Sequence, residues 1–376
     1  MKKQELRIVV LGLSLSSSWG NGHATTYRAL LRSLSERGHQ VLFLERDVPW
    51  YAAHRDLVDP GNCLRYYEDL ADLESHEKDV RKADAVIIGS YVPEGIAVAD
   101  WVFRTARGTV VFYDIDTPVT LSELARGTCT YLSPAQVRRY DLYLSFTGGP
   151  TLNVLKTRWG AAAPRALYCS VDPDLYKPTP TKKRWHLGYL GTYSRDRQPA
   201  VERFVIEPAR RAPSLKFVVA GAQYPSTIAW PANAEWIEHI PPSRHAKFYS
   251  SLRWALNLTR ADMRKAGYSP SVRLFEAGAC GTPMISDDWP GLETFFVPGR
   301  DIIVANSVED FLTTLELPKS LRDRIGQNGR ERVLRLHTSE RRAAELEDML
   351  MSRRAKPKEP DLNRMGGKQY ERLNVS

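Results

Sequence analysis

Short apolar runs alternate with helix-period segments along most of the chain. Ile8–Leu13, Val41–Leu44, Ala85–Gly89, Val110–Tyr113, Leu142–Phe146 and Ala166–Cys169 are continuous enough in aliphatic and aromatic residues to be strands buried on both faces. Between the first two lies Ala24–Arg37, with Leu30, Leu31 and Leu34 on one helical face and Gly38 at its end. A strand, a helix and a second strand in that order predict a parallel pair joined by a crossover. The pattern lapses at Pro173–Lys183, which is proline-rich, charged and aperiodic, as an interdomain linker is. A second series then begins. Its strands are His186–Leu190, Leu215–Ala220, Glu235–His239, Trp254–Leu258, Pro283–Ser286 and Asp301–Val304, with helices at Gln198–Arg211 and Arg244–Leu252. From Pro318 to Arg354 the pattern is helical. The prediction is an α/β chain with one domain over 1–178, a second over 184–337, a helix over 338–354 and a tail over 355–376. Ligands of such sheets bind in the crevice at the carboxyl ends of the strands.

Composition narrows the function without choosing it. The 376 residues allow two cores, and 43% are hydrophobic. The formal charge is +9, of which Ser352–Ser376 supplies +4 through seven Lys/Arg against three Asp/Glu. A nucleic-acid binder concentrates its charge on the folded body, so no nucleic-acid partner is expected, and the basic tail is expected to be disordered. Cys63, Cys129, Cys169 and Cys280 form no CxxC pair, which fits neither a zinc cluster nor a disulfide framework and suits a reducing, cytoplasmic setting. No run approaches the ~20 apolar residues a membrane span needs. Ile8–Leu15 after Lys2-Lys3 is short and interrupted upstream by Glu5 and Arg7, and is read as the first strand rather than a signal peptide.

The densest chemistry lies in Gly267–Ser286. Ser269 and Pro270 read as a cap and first helical residue, and Gly281 and Pro283 close the helix before a short strand. A helix start offers free N–H groups and the positive end of a dipole, which suits a phosphate or diphosphate. Glu276 then falls about two turns in, roughly 9–10 Å from that start. That matches the distance from a diphosphate to the ribose hydroxyls of a nucleotide sugar. The plainer alternative is an amphipathic helix in which Glu276 pairs with Arg273.

Other segments extend the pattern: Trp19-Gly20-Asn21-Gly22-His23, Leu44–Tyr51, Tyr113-Asp114-Ile115-Asp116-Thr117-Pro118, Leu190-Gly191-Thr192-Tyr193, Ala220–Pro225, Asp287–Glu293 and Pro298–Val304. Together, over about residues 8–350, these resemble GT-B fold glycosyltransferases, and most closely their CgeB-like, spore-maturation branch. The resemblance implies two Rossmann-like domains facing across a cleft, transfer of a sugar from a nucleotide-diphosphate donor to a hydroxyl acceptor, and a last segment that crosses back onto the first domain. It implies no cofactor beyond the nucleotide sugar and no metal. Asp114-x-Asp116 has the DxD spacing of a metal cradle, but Asp172-Pro173-Asp174 repeats it in the linker.

On the donor side, Gly191 lets a backbone approach a diphosphate closely, with Thr192 and Tyr193 beside it and Arg197 as a charge-assisted partner. Ser271, Val272 and Arg273 at the helix start and Glu276 on the ribose complete the grip. Gly221 and Gln223 end the next strand, and Arg260 follows a later one. By resemblance His239 and Ile240 meet the nucleobase through main-chain groups. On the acceptor side the resemblance makes His23 a proton acceptor, with Asp116 as the alternative. Trp19, Asn21, Trp50, Tyr91 and Asp114 are candidate acceptor contacts. Glycan, lipid, protein and small-molecule acceptors all remain open. Retaining relatives carry a second Glu eight residues before the one at Glu276; here that position is Tyr268, which tilts the reading toward inversion. Two rivals stand beside transfer, a nucleotide-sugar epimerase on the same fold and a non-catalytic glycosyltransferase-like scaffold or coat protein.

Overall fold

The computed structural model describes residues 5–19, 22–59 and 61–354. Gly20, Asn21 and the tail over 355–376 therefore lie outside the described residues. The first sheet holds β1 (Arg7–Gly12), β2 (Gln40–Arg46), β3 (Leu64–Tyr67), β4 (Ala85–Gly89), β5 (Thr109–Asp114), β6 (Leu142–Ser145) and β7 (Pro164–Ala166). All pairs are parallel, in the order β3-β2-β1-β4-β5-β6-β7. The second sheet holds β8 (Trp185–Leu190), β9 (Phe217–Ala220), β10 (Ala234–Ile237), β11 (Leu252–Asn257), β12 (Met284–Ser286) and β13 (Ile303–Val304). It is also parallel, in the order β10-β9-β8-β11-β12-β13. Each order reverses once, between β1 and β4 and between β8 and β11. These are the two switch points where loops diverge and leave room for a ligand.

Buried apolar residues cover both faces of each sheet, which is why the strands read as unbroken apolar runs. Two expectations are corrected, the end of one strand and the continuity of one helix. The predicted strand Ala166–Cys169 ends at Ala166, because the residues beyond it already form the crossing to the second domain. The predicted helix Gln198–Arg211 is split into Gln198–Val201, a π-turn over Glu202–Ile206, and Glu207–Arg211. Pro208 has no N–H to give a regular ladder there, and the wider turn upstream accommodates the lost bond. The helical stretch near the end is two helices, Lys319–Leu336 and Ser339–Arg354, separated at His337-Thr338.

That break sends the last helix home to the first domain. Val171 N–H donates to the His337 carbonyl (3.0 Å) and Ser339 N–H to the Val171 carbonyl (2.8 Å), so the two crossing segments run side by side. Ser33 and Ser339 hydroxyls meet at 3.0 Å, and Arg37 pairs with Glu347 at 2.6 Å. Ala343, Leu346 and Leu350 join Leu30, Leu31 and Leu34 in one buried cluster. The domains also touch before the glutamate-bearing helix. Thr147 Oγ1 donates to Ser269 Oγ (2.9 Å) and Gly148 N–H to the Tyr268 carbonyl (3.0 Å). Tyr268 holds a left-handed φ of 48° with its ring laid against Gly149, where a Cβ would sit 2.3 Å from the ring.

Candidate functional site

The helix that carries the site runs Val272–Ala279. It opens two residues later than the sequence suggested, with Ser271 rather than Ser269 at the cap position. Ser269 and Pro270 are committed elsewhere: the one bonds Thr147, and the carbonyl of the other accepts from Cys169 Sγ at 3.3 Å. Glu276 is thus the fifth helical residue, roughly 6 Å along the axis from the first at 1.5 Å per residue. It is buried, and Tyr249 donates to its Oε2 at 2.9 Å. With Val272, Tyr176, Pro241, Pro242 and Ser243 it lines a cavity of about 830 Å³ closed on the far side by the first domain's helix His23–Glu36. No Arg273–Glu276 ion pair occurs among the described residues.

Arg273 points the other way, into a cluster of cations. It is 8% exposed, and its hydrogen-bond partners among the described residues are neutral: the Leu190 carbonyl, Asn257 Oδ1 (3.1 Å) and Ser271 Oγ (3.3 Å). Its guanidinium lies over the Tyr189 ring at 4.7 Å. Gly191 allows that approach, since a Cβ there would stand 2.8 Å from Arg273 Nη2. Gly221 is needed for the same reason at the end of the adjacent strand: its φ is 158°, and a Cβ would fall 2.0 Å from the Gly191 carbonyl oxygen. Arg197 donates to the Thr192 carbonyl (2.8 Å). Burial first, then the charges of Arg273 and Arg260, pushes the Arg197 pKa down. Thr192 and Gln223 are exposed, Gln223 with φ 69°, and Tyr193 packs edge-on to Tyr224 at 5.5 Å. His239 is exposed, and the Ile240 carbonyl already accepts from His245 Nε2 at 2.9 Å.

Across the cleft the acceptor candidates divide. His23 is the first residue of its helix rather than a loop end. It is buried, its Nδ1 has no partner among the described residues, and burial lowers its pKa to about 4. Tyr91 meets it edge-on at 5.5 Å and reaches toward Asp116 Oδ2 at 3.5 Å. Asp116 sits at the cap position of the helix Thr117–Arg126 without capping it. Burial raises its pKa, opposed chiefly by Arg260 from the other domain. Asp114 is corrected: it is fully buried, and takes hydrogen bonds from Tyr143 (2.6 Å) and Thr120 (2.7 Å), so it braces the fold instead of facing an acceptor. Burial raises its pKa to about 6. Trp19 stacks on His54 at 4.5 Å and is half exposed, as is Trp50 beside Tyr51. Asn21 lies outside the described residues.

The switch points therefore bring together His23, Tyr91 and Asp116 from one domain and Gly191, Arg197, Arg260 and Arg273 from the other. The large cavity adjoins this group through the single helix that contributes Val272 and Glu276 to one and Arg273 to the other. Sequence reasoning missed Tyr249, Tyr176 and His245, which surround Glu276 and the Ile240 carbonyl. Tyr176 lies in the charged, proline-rich linker and Tyr249 and His245 in a mixed helical segment, so no local sequence signal marked them.

A family model described as glycosyl transferase-like matches residues 197–348. No curated protein matches the chain. Solved structures align over nearly its whole length. Sucrose-phosphate synthase from Thermosynechococcus elongatus is 15% identical at a TM-score of 0.67, covering 92% of this chain and 98% of that one. HepE from Anabaena with UDP and glucose gives 12% and 0.68, covering 93% and 100%. An alpha-glucosyltransferase in complex with UDP gives 17% and 0.70, covering 92% and 100%. The fold is GT-B: two Rossmann-like domains facing across a cleft. No helix among the described residues is long and apolar enough to cross a membrane.

Proposed function

We propose that the protein is a glycosyltransferase that moves a sugar from a nucleotide-diphosphate donor to a hydroxyl acceptor, in the CgeB-like branch of the fold. One observation carries the reading: Arg273 is a buried guanidinium with no paired carboxylate among the described residues, one turn before a carboxylate that lines a cavity. A buried charge wants a counter-ion, and a diphosphate placed at the helix start supplies it. Arg197 and the helix N–H groups add to that field. Glu276 then takes the ribose hydroxyls, and the base lies toward His239 and Pro241. The GT-B neighbours crystallised with UDP support this orientation by analogy of fold.

In the reaction the acceptor oxygen attacks the anomeric carbon, its proton passes to a base, and the bond from that carbon to the diphosphate oxygen breaks. Negative charge grows on the departing diphosphate, where Arg273 and Arg197 already wait, so little reorganisation is needed. Asp116 is the better base of the two candidates. Its side chain is partly exposed, reaches Tyr91 and faces Arg260 of the other domain, and burial raises its pKa, whereas His23 is buried with its pKa lowered to about 4. A base on the face opposite the leaving group gives inversion. The setting we propose is cytoplasmic, with no metal required and without nucleic acid as partner.

Titration of the full chain with UDP, GDP, ADP and CDP tests the donor half. At least one should bind, and Glu276→Ala should weaken it; unaltered affinity in that variant would count against the assignment. Supplying the corresponding nucleotide sugar without an acceptor separates transfer from epimerisation, since an epimerase would still generate a new sugar.

A further inference from the structure

The guanidinium of Arg273 lies at the switch point of the second sheet, between the ends of β8 and β11. Its Nε donates to the carbonyl of Leu190, the last residue of β8, and its Nη1 to Oδ1 of Asn257, the last residue of β11 (3.1 Å). Asn257 is buried, and the nitrogen of its amide is committed as well. Nδ2 donates to Ser286 Oγ (3.0 Å) and to Thr259 Oγ1 (3.3 Å). Ser286 Oγ in turn donates to the main-chain carbonyl of Asp287 (2.8 Å), and Thr259 Oγ1 to the Asp287 carboxylate (2.9 Å). A carbonyl only accepts and a guanidinium only donates. The one hydroxyl hydrogen of Ser286 is therefore used, and its oxygen can only accept from Asn257. Arg273, for its part, can face only the amide oxygen. Both ends of the chain require the same orientation of the amide.

This arrangement keeps a carboxylate one layer of side chains back from Arg273. Asp287 is buried, holds the Thr259 N–H and hydroxyl on its carboxylate, and is linked to the guanidinium through neutral hydroxyls and the amide. Asn257 thus gives Arg273 a fixed acceptor that carries no negative charge. An aspartate of the same length would offer an oxygen at that place and also neutralise the cation, since a buried pair at this distance is a full ion pair. We propose that Asn257, oriented by Ser286, is a positioning residue of the donor site: it aims Arg273 and, as an amide rather than a carboxylate, leaves its positive charge to an anionic ligand. The inference rests on reading Arg273 as the diphosphate-binding residue.

The test is the order of two substitutions. Calorimetric titration of the full-length chain with UDP, GDP, ADP and CDP identifies a diphosphate that binds, and its parent nucleoside is titrated alongside. Asn257→Ala removes the aim of Arg273 and leaves its charge, so diphosphate affinity should fall by about two- to tenfold, the size of one hydrogen bond. Asn257→Asp keeps the size and the acceptor but pairs the guanidinium. It should cost more, about ten- to a hundredfold, the range of a charge-assisted contact. Nucleoside affinity should be unchanged in both. A merely structural role gives the reverse order, because aspartate keeps a partner for Arg273 and alanine leaves a cavity. Should Asn257→Asp not fold, Ser286→Ala takes its place: it frees the amide to turn, and should cost about two- to tenfold for the diphosphate and nothing for the nucleoside. Three results overturn the proposal and leave the donor site standing: alanine at 257 costing as much as aspartate or more, diphosphate affinity unaltered in the alanine variants, or equal losses for diphosphate and nucleoside. A wild type that binds none of the four diphosphates overturns both.

Discussion

Among the described residues, the buried Arg273 guanidinium has no carboxylate beside it and rests on carbonyl, amide, hydroxyl and ring contacts. The consequence is a split by ligand. Arg273→Ala should weaken binding of the preferred nucleoside diphosphate by about ten- to a hundredfold, the range of a charge-assisted contact. Binding of the parent nucleoside, which has no phosphate, should be unaffected. Equal losses for both ligands would mean that Arg273 merely supports the fold. At Asp116 the split runs between steps. Asp116→Asn should lower turnover by about 10²- to 10⁴-fold with donor affinity intact, as loss of a general base does. Normal turnover in that variant, measured with any accepted substrate, would remove Asp116 from the chemistry. Some placement at this scale was legible: Gly191 and Gly221 follow directly on their strands, and Arg273 and Glu276 share one helix. Ser269 was not, because its partner Thr147 is 122 residues away. A residue's local cap signal cannot reveal that a distant hydroxyl has already claimed it. Asp114 failed for a related reason: it is only two residues from Asp116, but it ends β5, and the partners that hold it come from β6 and from the helix that follows.

At the scale of elements, the strands were legible because both faces of each sheet are covered, which leaves long apolar runs. β3 escaped notice since its four residues, Leu64-Arg65-Tyr66-Tyr67, are only half buried at a sheet edge. The final helical stretch breaks at His337-Thr338, beside the boundary at 338 that the family resemblance implied, and Thr338 pairs with Val171 there. The helix Ser339–Arg354 is held to the first domain largely by Ala343, Leu346 and Leu350, all buried. Leu346 is 0% exposed, so Leu346→Ala should reduce unfolding free energy by about 2–5 kcal/mol, as other core truncations do. Urea denaturation reads this directly. A cost below about 1 kcal/mol would show that the helix does not stay docked in solution. The same docking keeps the two crossing segments adjacent, which sets how far the donor helix stands from the first domain.

On the scale of the whole molecule, pH acts through buried groups, one at the second crossing and one inside the first domain. His337 lies at the second crossing, stacked on Phe275 at 4.4 Å with Arg342 donating to its Nδ1 at 2.9 Å. Burial, followed by the Arg342 charge, lowers its pKa to about 3. In the unfolded chain a histidine takes its proton near 6.5. Between those two values the unfolded state binds a proton that the folded state does not, so stability falls as pH drops through that window. One proton of difference is worth about 1.4 kcal/mol per pH unit. Asp114 works in the opposite sense. Its folded pKa of about 6 exceeds the ordinary 3.8, so the folded state gains a proton first and is favoured as pH falls from 6 toward 4. The two effects overlap in the intact protein and can cancel in its overall pH profile, which makes variants the informative measurement. Relative to wild type, His337→Phe should gain stability by about 1.4 kcal/mol per unit below pH 6.5, because it has no proton to exclude. Asp114→Asn should lose ground relative to wild type between pH 6 and 4. Urea unfolding at pH 7.5, 5.5 and 4.5 gives both slopes. Parallel profiles for wild type and His337→Phe would mean that the ring is already protonated or solvated in the fold, and that the second crossing is looser than its packing against Phe275 implies.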